Sequence, residues 1–143
     1  MHRLLTSLAL IAAPLAAELK TDIEFSKPDG ISLTLDAYVP EGKGPFPTVI
    51  IVHGGGWVNG TKTTYVPPLF EPLTKGGFTW FTINYRLAPQ HPYPAALDDV
   101  NAAIRWVKKN AKAYKADPNR IALIGESAGG HLVSLAAAKG KGD

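Results

Sequence analysis

Cysteine is absent from the 143 residues. Its absence excludes a disulfide framework, a thiolate-ligated zinc or iron–sulfur site, a cysteine nucleophile and a lipid-bearing cysteine. Long apolar runs are missing too. The longest, residues 4–17, is interrupted by Thr6, Ser7 and Pro14 and falls short of the roughly 20 residues that span a bilayer as a helix. Charge of one sign is scarce: fifteen Lys+Arg against twelve Asp+Glu leave a formal net charge of +3, too mild for the electrostatic footprint of a nucleic-acid binder. There is no internal repeat and no low-complexity linker. What remains is 45% hydrophobic and 19% charged, an ordinary globular composition in a chain of single-domain size, which rules out disordered, collagen-like and coiled-coil classes.

Met1-His2-Arg3 opens with positive charge and is followed by the short apolar run. This pattern predicts a secretory signal peptide over residues 1–17, although cleavage after Ala17 leaves Leu15 in the third position back. The expected location is therefore secreted or periplasmic, without a stable membrane anchor. A cysteine-free chain is compatible with a bacterial periplasm.

Apolar residues alternate over residues 19–25 (Leu19, Ile23, Phe25) and residues 31–39 (Ile31, Leu33, Leu35, Ala37, Val39), the period of half-buried strands. Lys27-Pro28-Asp29-Gly30 between them has turn chemistry, so an antiparallel hairpin is expected. Three later runs, Val49-Ile50-Ile51-Val52, residues 78–83 and Ile121-Ala122-Leu123-Ile124, are nearly continuous and predict strands of a parallel sheet buried on both faces. Leu97, Val100, Ile104, Val107, Ala111 and Tyr114 recur at helical spacing. Asp98 and Asp99 near the start of that helix and Lys108, Lys109, Lys112 and Lys115 near its end suit the macrodipole; with so mild a net charge, the lysines read as a solvated helix face. A short helix over residues 69–75 and a last one over residues 127–139 complete an α/β plan, a mostly parallel sheet with an N-terminal antiparallel hairpin and helices on both faces.

Gly125-Glu126-Ser127-Ala128-Gly129 fits G-x-S-x-G where a strand gives way to a helix. A serine hydroxyl is a weak nucleophile unless it is presented clear of the backbone, and such a sharp turn presents it. The flanking Gly125 and Gly129 spare that turn a steric clash. His53-Gly54-Gly55-Gly56-Trp57 follows directly on another predicted strand. Consecutive glycines let backbone approach a ligand, and Gly55 and Gly56, with Ala128 after the serine, are candidate N–H donors to an oxyanion. His53 is expected to hold the glycine loop by bonding backbone. Both motifs fall at carboxyl ends of predicted parallel strands, where open α/β sheets bind ligands.

HGGGW, NYRLAPQHPYPAALDDV and GESAGGH in this order resemble the esterase side of the α/β-hydrolase superfamily, namely the hormone-sensitive-lipase-like carboxylesterases and the secreted feruloyl or acetyl-xylan esterase-like group. The resemblance covers about residues 18–140. It implies Ser127 as nucleophile, Gly55, Gly56 and Ala128 as the oxyanion hole, and structural roles for Asn84-Tyr85-Arg86 and Asp98-Asp99. His53, Gly54, Trp57, Gly125, Glu126 and Gly129 would support the site. Residues 18–40 read as a hairpin instead of a helical cap, which tilts the resemblance toward the capless secreted group. It implies neither metal nor cofactor; the partner would be a small-molecule or polysaccharide ester.

The superfamily orders its triad as serine, acid, histidine. Only His131 and Asp143 follow Ser127 as candidates, and neither stands at a strand end of its own. Residues 18–143 are therefore expected to form the N-terminal part of a single domain of roughly 200–250 residues, truncated after the nucleophile helix and without its acid and base. As an isolated chain it is expected to be inactive, and marginally stable or oligomeric. A serine peptidase or amidase of the same fold, and a non-catalytic binding module, are the alternatives.

Overall fold

A computed structural model describes residues 16–140. The expected leader lies, except for Ala16 and Ala17, outside the described residues, as does Asp143.

Five strands and three helices follow one another as β1 (Glu18–Ser26), β2 (Leu33–Val39), β3 (Phe46–Val52), α1 (Phe70–Lys75), β4 (Thr79–Ile83), α2 (Ala95–Asn110), β5 (Ala116–Gly125) and α3 (Ala128–Lys139). The sheet order is β1-β2-β4-β3-β5. β1, β2 and β4 pair antiparallel, whereas β3 lies parallel between β4 and β5. The central strands follow from their composition: β-branched and aromatic side chains fill both faces, and every residue of β4 is buried.

Alternation along β3 and β4 sends side chains to two separate cores. Ile50, Val52, Phe81 and Ile83 meet Leu97, Val100, Ile104 and Val107 of α2 and Leu132 of α3 on one face. Val49, Ile51 and Trp80 meet Leu69, Phe70 and Leu73 at α1 on the other. Phe70 stacks on Trp80 at 4.4 Å. Helices thus cover both faces, and burial of each large side chain contributes about 1.5–3 kcal/mol. The helical spacing through Ala111 and Tyr114 persists, but the last turn tightens to a 3-10 turn, Ala111–Tyr114, closed by Lys115 at φ 51°.

Four local expectations are corrected. Leu19 was assigned to the same buried face as Ile23 and Phe25, yet it is 58% exposed. A bulge around Asp22 (φ 56°) shifts the register between Lys20 and Ile23, and such a shift turns a strand's outer half over. β2 begins at Leu33, because a 3-10 turn at Pro28–Gly30 ties the Ile31 N–H to the Pro28 carbonyl. The short helix splits into a 3-10 turn at Pro67–Leu69 and α1. β5 is not buried on both faces: among the described residues it is an edge strand, as β1 is at the other side, with Ile121, Leu123 and Ile124 half-buried and Ala122 exposed.

Candidate active site

Strand pairing assembles the site. Val52, the last residue of β3, lies in register with Gly125, the last of β5, so the segments leaving both strands start side by side. The Glu126 N–H donates to the Val52 carbonyl at 3.1 Å, continuing the ladder one step. The chain then turns sharply into α3. A β-carbon on Gly129 would stand 2.1 Å from the Val52 oxygen, and one on Gly125 would stand 2.2 Å from the Gly129 carbonyl. Neither position admits a side chain, which gives both glycines of G-x-S-x-G a steric reason.

Ser127 sits at the apex, exposed, with φ 49° and ψ −115°. A non-glycine residue held there carries backbone strain of order 1–3 kcal/mol, and such strain gathers at functional sites. Its hydroxyl makes no capping bond to α3, so it is left for another partner. The Gly129 N–H bonds back to the Glu126 carbonyl at 2.7 Å and fixes the turn.

The glycine loop leaves β3 beside this turn, with Gly54 against Glu126. His53 is fully buried. Its Nδ1 lies 2.6 Å from the Gly54 carbonyl; since a carbonyl only accepts, Nδ1 carries the proton. Burial lowers the His53 pKa from 6.5 against the opposing effect of that bond, so the ring is a neutral strut. Tyr85 supports it from beneath, stacked at 4.3 Å with its hydroxyl donating to the His53 carbonyl at 2.9 Å. Burial, and then the charge of Glu126, raise the Tyr85 pKa to about 12, which keeps that donor protonated. Gly54 has no room for a side chain because the Glu126 carboxylate occupies the place.

Gly55 (φ 120°) and Gly56 (φ 61°) adopt backbone that side chains disfavour. The Gly55 carbonyl accepts from the N–H groups of Val58 and Asn59. Among the described residues, the backbone hydrogen bonds outside the helices and strands use none of the amides of Gly55, Gly56 and Ala128. The Ala128 amide is one of the orphan N–H groups that open any helix. Trp57 lays its ring against His131, edge to face at 5.4 Å.

The segment after β4 braces this arrangement. Arg86 grips Asp99 through Nε and a terminal nitrogen at 2.9–3.1 Å, while its own N–H reaches the same carboxylate at 2.8 Å. Asp99 is 2% exposed, so it serves Arg86 rather than the helix dipole suggested by its sequence position. Asn84 bridges Thr34 and the Lys62 N–H. Among the described residues no imidazole is placed as a base: His131 turns to Trp57, His53 is spent on Gly54, and His91 lines a cleft of about 220 Å³ with Trp57, Tyr93 and His131.

Sequence reasoning singled out the loop, the serine and the candidate donors, and gave Tyr85 and Glu126 supporting roles by resemblance without saying what either touches. A residue that works by filling a neighbouring glycine's empty place leaves no periodic trace. The sole signal was a glycine at position 54 where no turn demanded one.

Comparison with known proteins agrees with this geometry. The BD-FAE family model matches residues 35–143. The carboxylesterase NlhH of Mycobacterium tuberculosis is 44% identical over 91 residues, 64% of this chain and 28% of the relative. The thermostable carboxylesterase EstE1 from a metagenomic library superposes with a TM-score of 0.77 at 31% identity, over 92% of this chain and 45% of that one. A truncated carbohydrate esterase from gut microbiota gives a TM-score of 0.76 at 34% identity, over 87% of this chain and again 45% of the other. The chain thus spans less than half the length of each of these proteins. With a family model covering most of its length and the strand order and elbow described above, this chain belongs to the BD-FAE family of α/β-hydrolase esterases.

Proposed function

We propose that these residues form the nucleophile and oxyanion half of a serine carboxylesterase. The observation that carries the reading is Ser127 at φ 49°, exposed between β5 and α3 and beside a glycine loop on the paired strand β3. Ser127 Oγ attacks the ester carbonyl, giving up its proton to a base. The amides of Gly55, Gly56 and Ala128 hold the oxygen that becomes negative, and collapse of the tetrahedral intermediate expels the alcohol. Water then releases the acyl group from the serine. The base and the acid that orients it come from outside the described residues, so residues 16–140 alone bind an ester without turning it over at an enzymatic rate; loss of a triad member costs several orders of magnitude. The substrates proposed are short acyl esters, including acetyl or feruloyl groups on plant polysaccharide, met in the periplasm or medium. The likeness to a carbohydrate esterase supports that choice.

In a polypeptide extended to the length of the relatives, Ser127→Ala is expected to reduce hydrolysis of p-nitrophenyl acetate by at least about 10³-fold and to abolish labelling by a fluorophosphonate. Hydrolysis at the original rate would sink the mechanism.

A further inference from the structure

At the end of the sheet remote from Ser127, the lysines that sequence reading assigns to one solvated helix face form part of a groove. Lys108 and Lys109 leave the last turn of α2, and Lys112 and Lys115 follow in and after the 3-10 turn. Lys43 arrives from the loop between β2 and β3. Together these five line a groove of about 430 Å³ in which Pro45 and Pro118 supply uncharged surface and, among the described residues, no carboxylate takes part.

The groove is built, not incidental. Lys115 stands in left-handed backbone at φ 51°, its carbonyl accepting the Phe46 N–H at 2.7 Å. Its ammonium donates to the Gly42 carbonyl at 2.7 Å. This clamp holds the loop against the end of α2 and sets Lys43 beside the helix lysines. The macrodipole accounts for cations on the last helical turn; it does not account for Lys43, which belongs to another segment. The nearby Asp117 turns its carboxylate to Arg120 at 2.8 Å. Five lysines against a formal net charge of +3 leave the rest of the chain at −2, so the positive charge of this protein is local. At 0.1 M salt the Debye length is about 10 Å, so lysines around one groove act on a ligand together. Ser127 lies beyond the far end of β5, whose Ala116 and Gly125 pair with Phe46 and Val52 six strand steps apart, about 20 Å, and so is outside their reach.

We infer that this groove binds a carboxylate-bearing polysaccharide, a polyuronate, and anchors the protein to its carrier independently of the ester site. Ammonium groups are strongly hydrated point charges without the bidentate fork of arginine, which suits an extended anion read by charge density. The flat uncharged surface between them suits the faces of sugar rings. The choice of a carbohydrate carrier rests on the proposed esterase reading; the anion preference rests on the groove itself.

The test is equilibrium binding of polygalacturonate to the purified chain at 50 mM NaCl, with neutral xylan, double-stranded DNA and phosphatidylserine vesicles compared at the same salt. Polygalacturonate is expected to bind, neutral xylan not, and affinity to fall on the order of tenfold or more between 50 and 200 mM NaCl, as for other polyanions held by several ammonium groups. Combined Lys43→Glu, Lys109→Glu and Lys112→Glu is expected to abolish binding. Combined Lys27→Glu, Lys75→Glu and Lys139→Glu changes net charge equally but lies off the groove, and is expected to leave binding within about twofold. A glutamine set at positions 43, 109 and 112, expected to weaken binding about tenfold, replaces the glutamate set if its circular dichroism departs from that of the parent. Wild-type affinity in the groove variants, or equal loss in the control set, overturns the inference; tighter binding of DNA or vesicles overturns the carbohydrate occupant. Because binding is read without catalysis, a failed Ser127 experiment leaves this result standing, and the reverse also holds.

Discussion

Replacing Gly54 by alanine tests the packing beneath the oxyanion loop. Gly54 has no left-handed φ, so its backbone accepts alanine, and loss of glycine's freedom in the unfolded chain favours the variant by about 0.4–1 kcal/mol. Against this, the new β-carbon would stand 1.9 Å from Glu126 Oε2 and 2.9 Å from the Glu126 carbonyl. The carboxylate must retreat by about 1.5 Å to reach ordinary contact, and Oε2 is buried without a hydrogen-bond partner, in a residue whose backbone is pinned to Val52. Overpacking of this kind costs about 1–3 kcal/mol, so Gly54→Ala is expected to destabilise by about 1–2 kcal/mol net. Glu126→Ala removes the severe contact and leaves the one at 2.9 Å with the Glu126 carbonyl, a backbone atom held by the Gly129 N–H, so part of the cost remains. In that background the alanine is expected to cost about 1 kcal/mol less than in the parent, a coupling of about 1 kcal/mol. Urea denaturation of the four proteins, followed by far-UV circular dichroism, measures it. Additivity within about 0.5 kcal/mol would refute the argument that the Glu126 carboxylate occupies the side-chain place of residue 54.

Asp99→Ala is expected to cost about 3–5 kcal/mol in the same assay, because it strands the Arg86 guanidinium, 11% exposed, without its buried partner; replacing both by apolar residues of similar volume is expected to cost less, and an equal cost would contradict the buried-charge argument. Stability is also expected to fall as pH drops from 7.5 to 5.5. His53 has a folded pKa depressed by burial, so the unfolded chain takes up a proton near 6.5 that the folded chain refuses, and the stabilisation present above that value is lost below it. His53→Gln is expected to flatten this slope in denaturation midpoints measured across that range; an unchanged slope would assign it to other groups.

Much of the fold was legible because its cause is local. The buried strands β3 and β4 announce themselves by unbroken apolar runs, and α2 by its spacing. The elbow and the glycine loop were legible for a different reason: each concentrates residues that no packing argument needs, three glycines in a row and a serine between two glycines. The exposure of Leu19 was not legible, since the bulge at Asp22 that turns it outward depends on Lys62 and Asp36, which hold Asp22 from elsewhere in the chain. The half-exposed state of β5 was legible only in part: its apolar run reads as buried on both faces, whereas the reading of residues 18–143 as the N-terminal part of a domain puts the strand before Ser127 at the sheet's edge, where it stands among the described residues.

The sequence by itself determined the periodicities, the two motifs and their chemistry, because hydrophobic spacing and turn residues act within a few positions of themselves. Only the tertiary structure decided that Val52 pairs with Gly125, so that the serine turn and the glycine loop leave neighbouring strands at one level. It also decided that Tyr85 props His53, that Glu126 fills the place of a missing side chain, and that Lys43 joins lysines more than 60 positions away in one groove. These are contacts between segments distant along the chain, and their energies depend on register and direction, which a linear pattern of residue types does not carry.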